Sequence, residues 1–321
     1  MPEKPRILIA EPDDFSPKVV AYLRRYAEVD LHNCQPEDIP EALMQYDVFW
    51  FRLAHQLDEK VLHPDMRCKI LASPVTGIDH IDESLCQEYG IKIVSLRGER
   101  EFLREVRATA EMAIGMAIAL MRNIPQAAQS VKAGEWDRDR FRGNELYRKT
   151  AGIIGFGRLG RIVAEYFHAF GMQVLACDNR KVEVPEWITF TDSLDELVQQ
   201  SDLVSLHVNY HKGTHHLIGA DVFRQMKNES VFINTSRGGI VDEEALLFAL
   251  EEGRIKGAAL DVLQGEPDID QDHPLVAYAK THNNLLILAH IGGNTYESFE
   301  KTEQFIAQKV VEEIQSWPTL V

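Results

Sequence analysis

Short apolar runs alternate along the chain with longer segments in which apolar residues return every third or fourth position. Ile7-Leu-Ile-Ala10 reads as a first strand, and Ser16–Tyr26 follows as a helix with Val19, Val20 and Leu23 on one face. Asp47–Phe51, Lys69–Ser73 and Ile91–Val94 read as further strands with helical stretches between them. After a charged connector at 97–107, Thr109–Asn123 is apolar nearly all round, so it predicts a helix buried on most sides. A second series then predicts strands at 151–154, 174–177, 203–207, 231–234, 257–261 and 285–289. Tyr296–Trp317 closes the chain as a helix with Phe299, Phe305, Ile306, Val310 and Ile314 apolar. Strand–helix alternation of this kind predicts an α/β fold built on parallel sheets. No repeat or low-complexity tract interrupts it. Periodicity alone divides the chain once, at the connector.

The run 151–154 breaks into Gly155, Gly157 and Gly160, spaced G-x-G-x-x-G. Leu159, Ile162, Val163, Tyr166, Phe167 and Phe170 then recur at helical steps, and Asp178 closes the next strand. A bare turn also uses glycines, but strand, helix and terminal acid together predict a dinucleotide site. Gly155 permits the tight turn, Gly157 lets the backbone approach a pyrophosphate, and Gly160 lets helix pack on strand. Free N–H groups at the helix start favour phosphate. A carboxylate at Asp178 accepts ribose hydroxyls and repels a 2′-phosphate, which favours NAD (as NADH) over NADP. Arg180 would accommodate that phosphate, though it reads more naturally as a solvated loop cation.

Composition narrows the partners. The chain has 321 residues, a length that suggests two domains, and 45% hydrophobic content, enough for ordinary cores. Its net charge of −16 argues against nucleic acid or an anionic membrane. Cys34, Cys68, Cys86 and Cys177 form no metal or disulfide pattern, and reduced thiols fit a cytoplasmic location. The N-terminal segment does not read as a signal peptide, and the longest apolar run, Met112–Met121, is too short to span a bilayer.

Ligands of doubly wound sheets bind beyond the carboxyl ends of the strands. Arg237 follows strand 231–234, Glu266 follows 257–261, and His290 follows 285–289. Alone, each has a bland reading: a surface arginine, a turn before Pro267, a histidine capping a core strand. Together they suit hydride transfer to a 2-keto acid. A guanidinium grips the substrate carboxylate in bidentate fashion and polarises the carbonyl. A histidine supplies the proton as the carbonyl oxygen becomes an alkoxide. A carboxylate beside it favours the protonated ring. No metal is called for: His211, His215 and His216 read as solvated loop residues or adenine-side contacts, with Gly213 among them and no adjacent carboxylate or cysteine. Cys177 reads as a small core residue. Arg52, after strand 47–51, is expected at the interdomain cleft, where it would grip a second anionic group on the substrate. Arg97, Arg100, Arg104 and Arg107 pair more naturally with Glu99, Glu101 and Glu105.

With these residues assembled, the chain resembles the D-isomer-specific 2-hydroxyacid dehydrogenases, the family of D-3-phosphoglycerate dehydrogenases and glyoxylate/hydroxypyruvate reductases. Asn234–Leu246 resembles N-x-A-R-G-x-x-V-D-E-x-A-L, with Ser236 in place of alanine. Ala259–Pro267 resembles A-L-D-V-F-x-x-E-P. Ala289–Gly293 resembles P-H-I-G, with Ala289 in place of proline. The resemblance implies that Arg237 binds and polarises the substrate, Glu266 orients the histidine, and His290 is the acid/base. It further implies cofactor contacts from Arg158, Leu159, His207, Thr235 and Asp261, the last to the nicotinamide carboxamide. Val75–Asp82 resembles G-x-G-x-D-x-I-D, so the amides of Thr76 and Gly77 would bind the substrate carboxylate. The implied architecture is a flavodoxin-like substrate domain from 1–107 and 291–321, with a Rossmann NAD-binding domain, 108–290, inserted. The helix near 109–123 would span the domains and join a homodimer contact. Phosphohydroxypyruvate, glyoxylate, hydroxypyruvate and larger keto acids all suit such a site. An NADH-sensing corepressor-like scaffold with the same residues is the alternative. A formate dehydrogenase fits less well, because that branch carries glutamine where Glu266 stands.

Overall fold

The computed structural model describes residues 4–317. The chain folds as two compact units, one formed by the residues up to Val106 with those from Thr295 onward, the other by Arg107–Asn294.

The first unit holds strands β1 (Arg6–Ile9), β2 (Glu28–Leu31), β3 (Val48–Trp50), β4 (Ile70–Ser73) and β5 (Lys92–Ser95). They pair in parallel in the order β2-β1-β3-β4-β5, the flavodoxin-like order. Side chains alternate across the sheet, so each central strand feeds two cores. Ile7, Ile9, Trp50 and Ile70 lie with Ile306, Ala307, Val310, Val311 and Ile314 of the last helix, Tyr296–Ser316. Leu8, Phe49, Phe51 and Leu71 lie with Leu43 and Cys86 on the opposite face. Strands buried on both faces must be apolar throughout, hence the continuous runs.

The second unit holds β6 (Thr150–Ile154), β7 (Gln173–Cys177), β8 (Ile188–Phe190), β9 (Leu203–Leu206), β10 (Val231–Asn234), β11 (Gly257–Leu260) and β12 (Leu285–Ile287). Their order is β12-β11-β10-β9-β6-β7-β8, parallel throughout. Counted from this unit's own first strand, that is the doubly wound dinucleotide-binding order extended by one strand. The order reverses at β6, where the glycine loop begins. Helix Ala108–Met121 buries Ala110, Ala113, Met116, Ala117 and Met121 in a core shared with Ile153, Val163, Phe167, Ile233 and Ala259.

Two strands escape the hydrophobic pattern, β2 and β8, and each lies at a sheet edge. In β2 only Val29 is buried, so Glu28-Val-Asp-Leu31 carries no apolar run. The chain also returns to the first unit after Asn294 rather than after His290. The Asp261 side chain explains this: its Oδ1 accepts the N–H of Ile291 at 2.8 Å and its Oδ2 that of Gly292 at 2.7 Å, which ties this segment to the end of β11.

Candidate active site

The glycine loop is shaped by contacts that forbid side chains at two of its positions. Gly155 has φ of +89°, and a Cβ there would lie 2.5 Å from the His207 carbonyl oxygen. At Gly160 a Cβ would lie 2.1 Å from the Gly155 oxygen, so helix Arg158–Ala169 can close on β6 only through glycine. Gly157 differs. It is the N-cap of that helix, and a Cβ would meet nothing within 4 Å. Nothing in the protein demands glycine there, which fits a ligand that comes close to the backbone. Burial lowers the proton affinity of the Arg158 guanidinium at the start of this helix.

Asp178 stands one strand over. Its Oδ2 accepts the N–H of Phe156 at 2.9 Å and its Oδ1 that of Arg180 at 3.0 Å, so the acid also braces the glycine loop. The Arg180 side chain reaches back to it at 3.6 Å while remaining largely exposed. After β9, the His207 ring bonds Ser205 Oγ through Nε2 at 2.9 Å, whereas its Nδ1 is buried with no partner among the described residues. Burial pushes this histidine down to about 3, so the ring is neutral. Thr235, after β10, likewise buries an Oγ1 that has no partner among the described residues. Buried polar atoms without partners are uncommon, and a bound polar ligand satisfies them.

Beyond β10 the backbone turns on Asn234, whose Oδ1 accepts Ser236 N–H at 2.9 Å and whose Nδ2–H donates to the Arg237 carbonyl at 3.0 Å. This turn presents Arg237, whose Nη1–H donates to the Ser236 carbonyl at 2.9 Å. At Gly238 a Cβ would fall 2.1 Å from Gln264 N, so the loops carrying Arg237 and Glu266 touch backbone to backbone. His290 Nδ1 meets Glu266 Oε1 at 2.9 Å, both side chains roughly three-quarters covered at 27% and 28% exposure. His290 sits in the left-handed region at φ +54°, unusual outside glycine, and its N–H donates to the Asp261 carbonyl at 2.8 Å. Asp261 is thus an anchor for the histidine segment. Burial raises its carboxyl pKa above the ordinary value, and the two amide N–H groups oppose that shift.

In the first unit, Thr76 and Gly77 lie in the irregular segment after β4, with Thr76 exposed. Arg52 has a different setting from the open anion site expected of it. Its Nη2–H donates to Glu303 Oε1 at 2.7 Å, its Nη1–H donates to the Asp13 carbonyl at 3.1 Å, and the guanidinium lies 4.4 Å over the Phe299 ring. The sequence places Arg52 correctly at a strand end but carries no sign of a buried acid from the far end of the chain.

Residues 114–292 match the NAD binding domain of the D-isomer specific 2-hydroxyacid dehydrogenases. The D-3-phosphoglycerate dehydrogenase of Methanocaldococcus jannaschii is 33% identical over 309 residues, 95% of this chain. This chain belongs to the D-isomer-specific 2-hydroxyacid dehydrogenase family. It spans 56% of the length of that relative. It spans 98% of the hydroxypyruvate reductase of Thermotoga maritima, to which it is 31% identical over 309 residues, 96% of this chain. A solved D-lactate dehydrogenase from Aquifex aeolicus, complexed with NAD and lactic acid, superposes with a TM-score of 0.84 at 27% identity, covering 97% of this chain and 95% of that one.

The chain's own residues fit the NAD of this dehydrogenase family: an open Gly157, a helix start with no side-chain cap, an acid at the end of β7, and, among the described residues, unpartnered buried atoms on His207 and Thr235. Other candidates fall outside the site. His211 Nδ1 accepts Gly213 N–H at 3.0 Å, and the exposed rings of His215 and His216 stack at 3.9 Å. Among the described residues no cluster of histidine, cysteine and acid could hold a metal, and no helix is long and apolar enough to cross a membrane. Burial pushes the Cys34 and Cys177 thiols up, Cys86 up to about 11 and Cys68 up to about 12, so none is primed as a nucleophile.

Proposed function

We propose that this chain is an NAD-dependent dehydrogenase that interconverts a D-2-hydroxy acid and its 2-keto acid. The contact between His290 Nδ1 and Glu266 Oε1 carries the reading, because a carboxylate on Nδ1 would leave Nε2 for the chemistry. Nδ1–H donates to the carboxylate, which leaves Nε2 to give a proton to the carbonyl oxygen in reduction and to recover it in oxidation. Glu266 holds the ring's orientation through that contact. Arg237 binds the substrate carboxylate and polarises the carbonyl. Bound NADH supplies the hydride. Gly155, Gly157, Arg158, Leu159 and Gly160 would cradle its pyrophosphate, and Asp178, His207 and Thr235 would meet its adenosine side and backbone. Each Asp261 oxygen retains a lone pair beyond its amide contact, enough to accept from the carboxamide. The amides of Thr76 and Gly77 are the proposed carboxylate donors, on the strength of their motif. Arg52 is assigned a structural part instead.

We also read the protein as a homodimer in the cytoplasm. Ile124, Val131 and Trp136 are 49%, 52% and 89% exposed, which supports a covered face just after helix Ala108–Met121. Four free thiols suit a reducing compartment.

The test is NADH oxidation against a panel of 2-keto acids that includes phosphohydroxypyruvate, hydroxypyruvate, glyoxylate and pyruvate, run in parallel with NADPH. Turnover of at least one member, faster with NADH, is expected. Tight NADH binding with no turnover across the panel overturns the enzyme reading and makes the chain an NADH-responsive scaffold.

A further inference from the structure

We propose that Glu243 is a positioning residue for Glu266, setting the catalytic carboxylate through the backbone of Gln264; the proposal rests on the reading above.

Glu243 opens helix Glu243–Glu251, whose N-cap Asp242 accepts Ala245 N–H at 3.0 Å. An acid in a first helical turn usually faces water, where it complements the helix dipole. Glu243 turns inward instead, with its side chain 16% exposed. Its Oε1 accepts the N–H of Gln264 at 2.7 Å, and its Oε2 meets His273 Nε2 at 3.2 Å, a histidine equally covered. Burial raises its carboxyl above the ordinary range, while Gln264 N–H and His273 act in the opposite sense. A buried acid is costly unless its partners matter.

The partner that matters is the Gln264 amide. On one side the 263–264 backbone is pressed against Gly238, where any Cβ would clash at 2.1 Å. On the other it is held by Glu243. The His216 ring also reaches the Gln264 side chain, Nε2 to Oε1 at 3.4 Å, and His216 N–H donates to the Gly239 carbonyl at 3.0 Å. The peptide two residues before Glu266 is therefore fixed against the Arg237 loop. Glu266 must in turn meet His290 Nδ1 at hydrogen-bond distance. Without Glu243 the amide loses its acceptor, and the segment bearing Glu266 is free to shift. Misplacement by about 1 Å costs rate on the order of a hundredfold when geometry controls the chemistry.

A structural ion pair and a positioning residue differ in their dependence on Glu266. The experiment measures kcat per NADH-binding site, which removes unfolded chains from the count, on the wild type's best 2-keto acid. Glu243→Leu and Glu243→Ala are each made alone and with Glu266→Gln, and Glu243→Gln is made alone. The leucine and alanine variants are expected to lose roughly tenfold to a hundredfold in kcat with NADH affinity retained. Glu243→Gln, which keeps an oxygen for the Gln264 amide, is expected within about threefold of wild type, near the net worth of one neutral hydrogen bond. On the Glu266→Gln background the further loss should shrink to under about twofold, the signature of two residues acting as a unit. Wild-type kcat in both the leucine and alanine variants, or an undiminished loss on the Glu266→Gln background, overturns the proposal. A wild-type chain with no keto-acid turnover overturns the functional reading itself, a distinct result.

Discussion

Arg52 separates two accounts of the first unit most sharply. Replacing it by alanine leaves Glu303, 1% exposed, with only the Ser16 N–H, at 2.9 Å, among the described residues to satisfy its carboxylate. The guanidinium is itself 16% exposed and makes its ion pair at 2.7 Å. Stripping one partner from a buried pair costs about 3–5 kcal/mol, because the other charge stays behind. The sign of the pH dependence follows from Glu303. Burial already raises its carboxyl above 4.5, with Arg52 and Ser16 opposing the shift, so Arg52→Ala raises it further. The folded variant then holds a proton that the unfolded chain releases, and its stability falls as pH rises above that value. The deficit should therefore be larger at pH 7.5 than at pH 5.5. Urea unfolding followed by tryptophan fluorescence reads this, since Trp50 lies buried two positions away. Arg52→Lys, a single point charge in place of a fork, should fall between wild type and alanine. The reasoning is refuted if Arg52→Ala keeps wild-type stability and instead raises KM tenfold or more, on the order of a lost charged contact, for a phosphorylated or dicarboxylic keto acid.

Gly157→Ala should fold with stability within about 1 kcal/mol of wild type, since its Cβ meets nothing, yet weaken NADH binding by roughly tenfold or more, read by NADH fluorescence titration. Gly160→Ala, pressed 2.1 Å from the Gly155 oxygen, should instead lose about 1–3 kcal/mol in the same urea assay. His207, held neutral with a proton affinity near 3 against 6.5 for an ordinary histidine, contributes stability that is fully present above pH 6.5 and is lost as pH falls toward 3. Between pH 7 and pH 5 wild type should lose up to about 2 kcal/mol more than His207→Gln, at about 1.4 kcal/mol per pH unit. Parallel curves for the two proteins would contradict that burial.

The central strands were legible because both sides of each are covered, which forces unbroken apolar runs. The edges were not: Glu28–Leu31 and Ile188–Phe190 each have a neighbour on one side only and read as polar connections. The last helix shows its apolar face in the sequence but not the sheet it packs on; periodicity alone leaves Ile306 and Val310 with the second half of the chain, and the family resemblance assigns them to the first. In the site, Arg237, Glu266 and His290 stood out because strand ends point to ligands. The bracing contacts of the acids did not, even where the acid itself, Asp178 or Asp261, was already a candidate. Asp261, Glu243 and Asp178 all spend carboxylate oxygens on backbone amides, of Ile291 and Gly292, of Gln264, and of Phe156 and Arg180. Backbone donors carry no residue code, so no spacing announces such contacts. Arg52 shows the converse, a side chain whose type suggested a ligand and whose partner lies 251 positions along the chain.

The central claim is that His290, held by Glu266, moves the proton. Its most direct measurement is kcat for His290→Ala beside wild type, at saturating NADH and the best 2-keto acid, with NADH affinity determined on the same samples. A loss of about 10²–10⁴-fold in kcat with NADH affinity unchanged is the predicted result. Near wild-type turnover in the variant would contradict it.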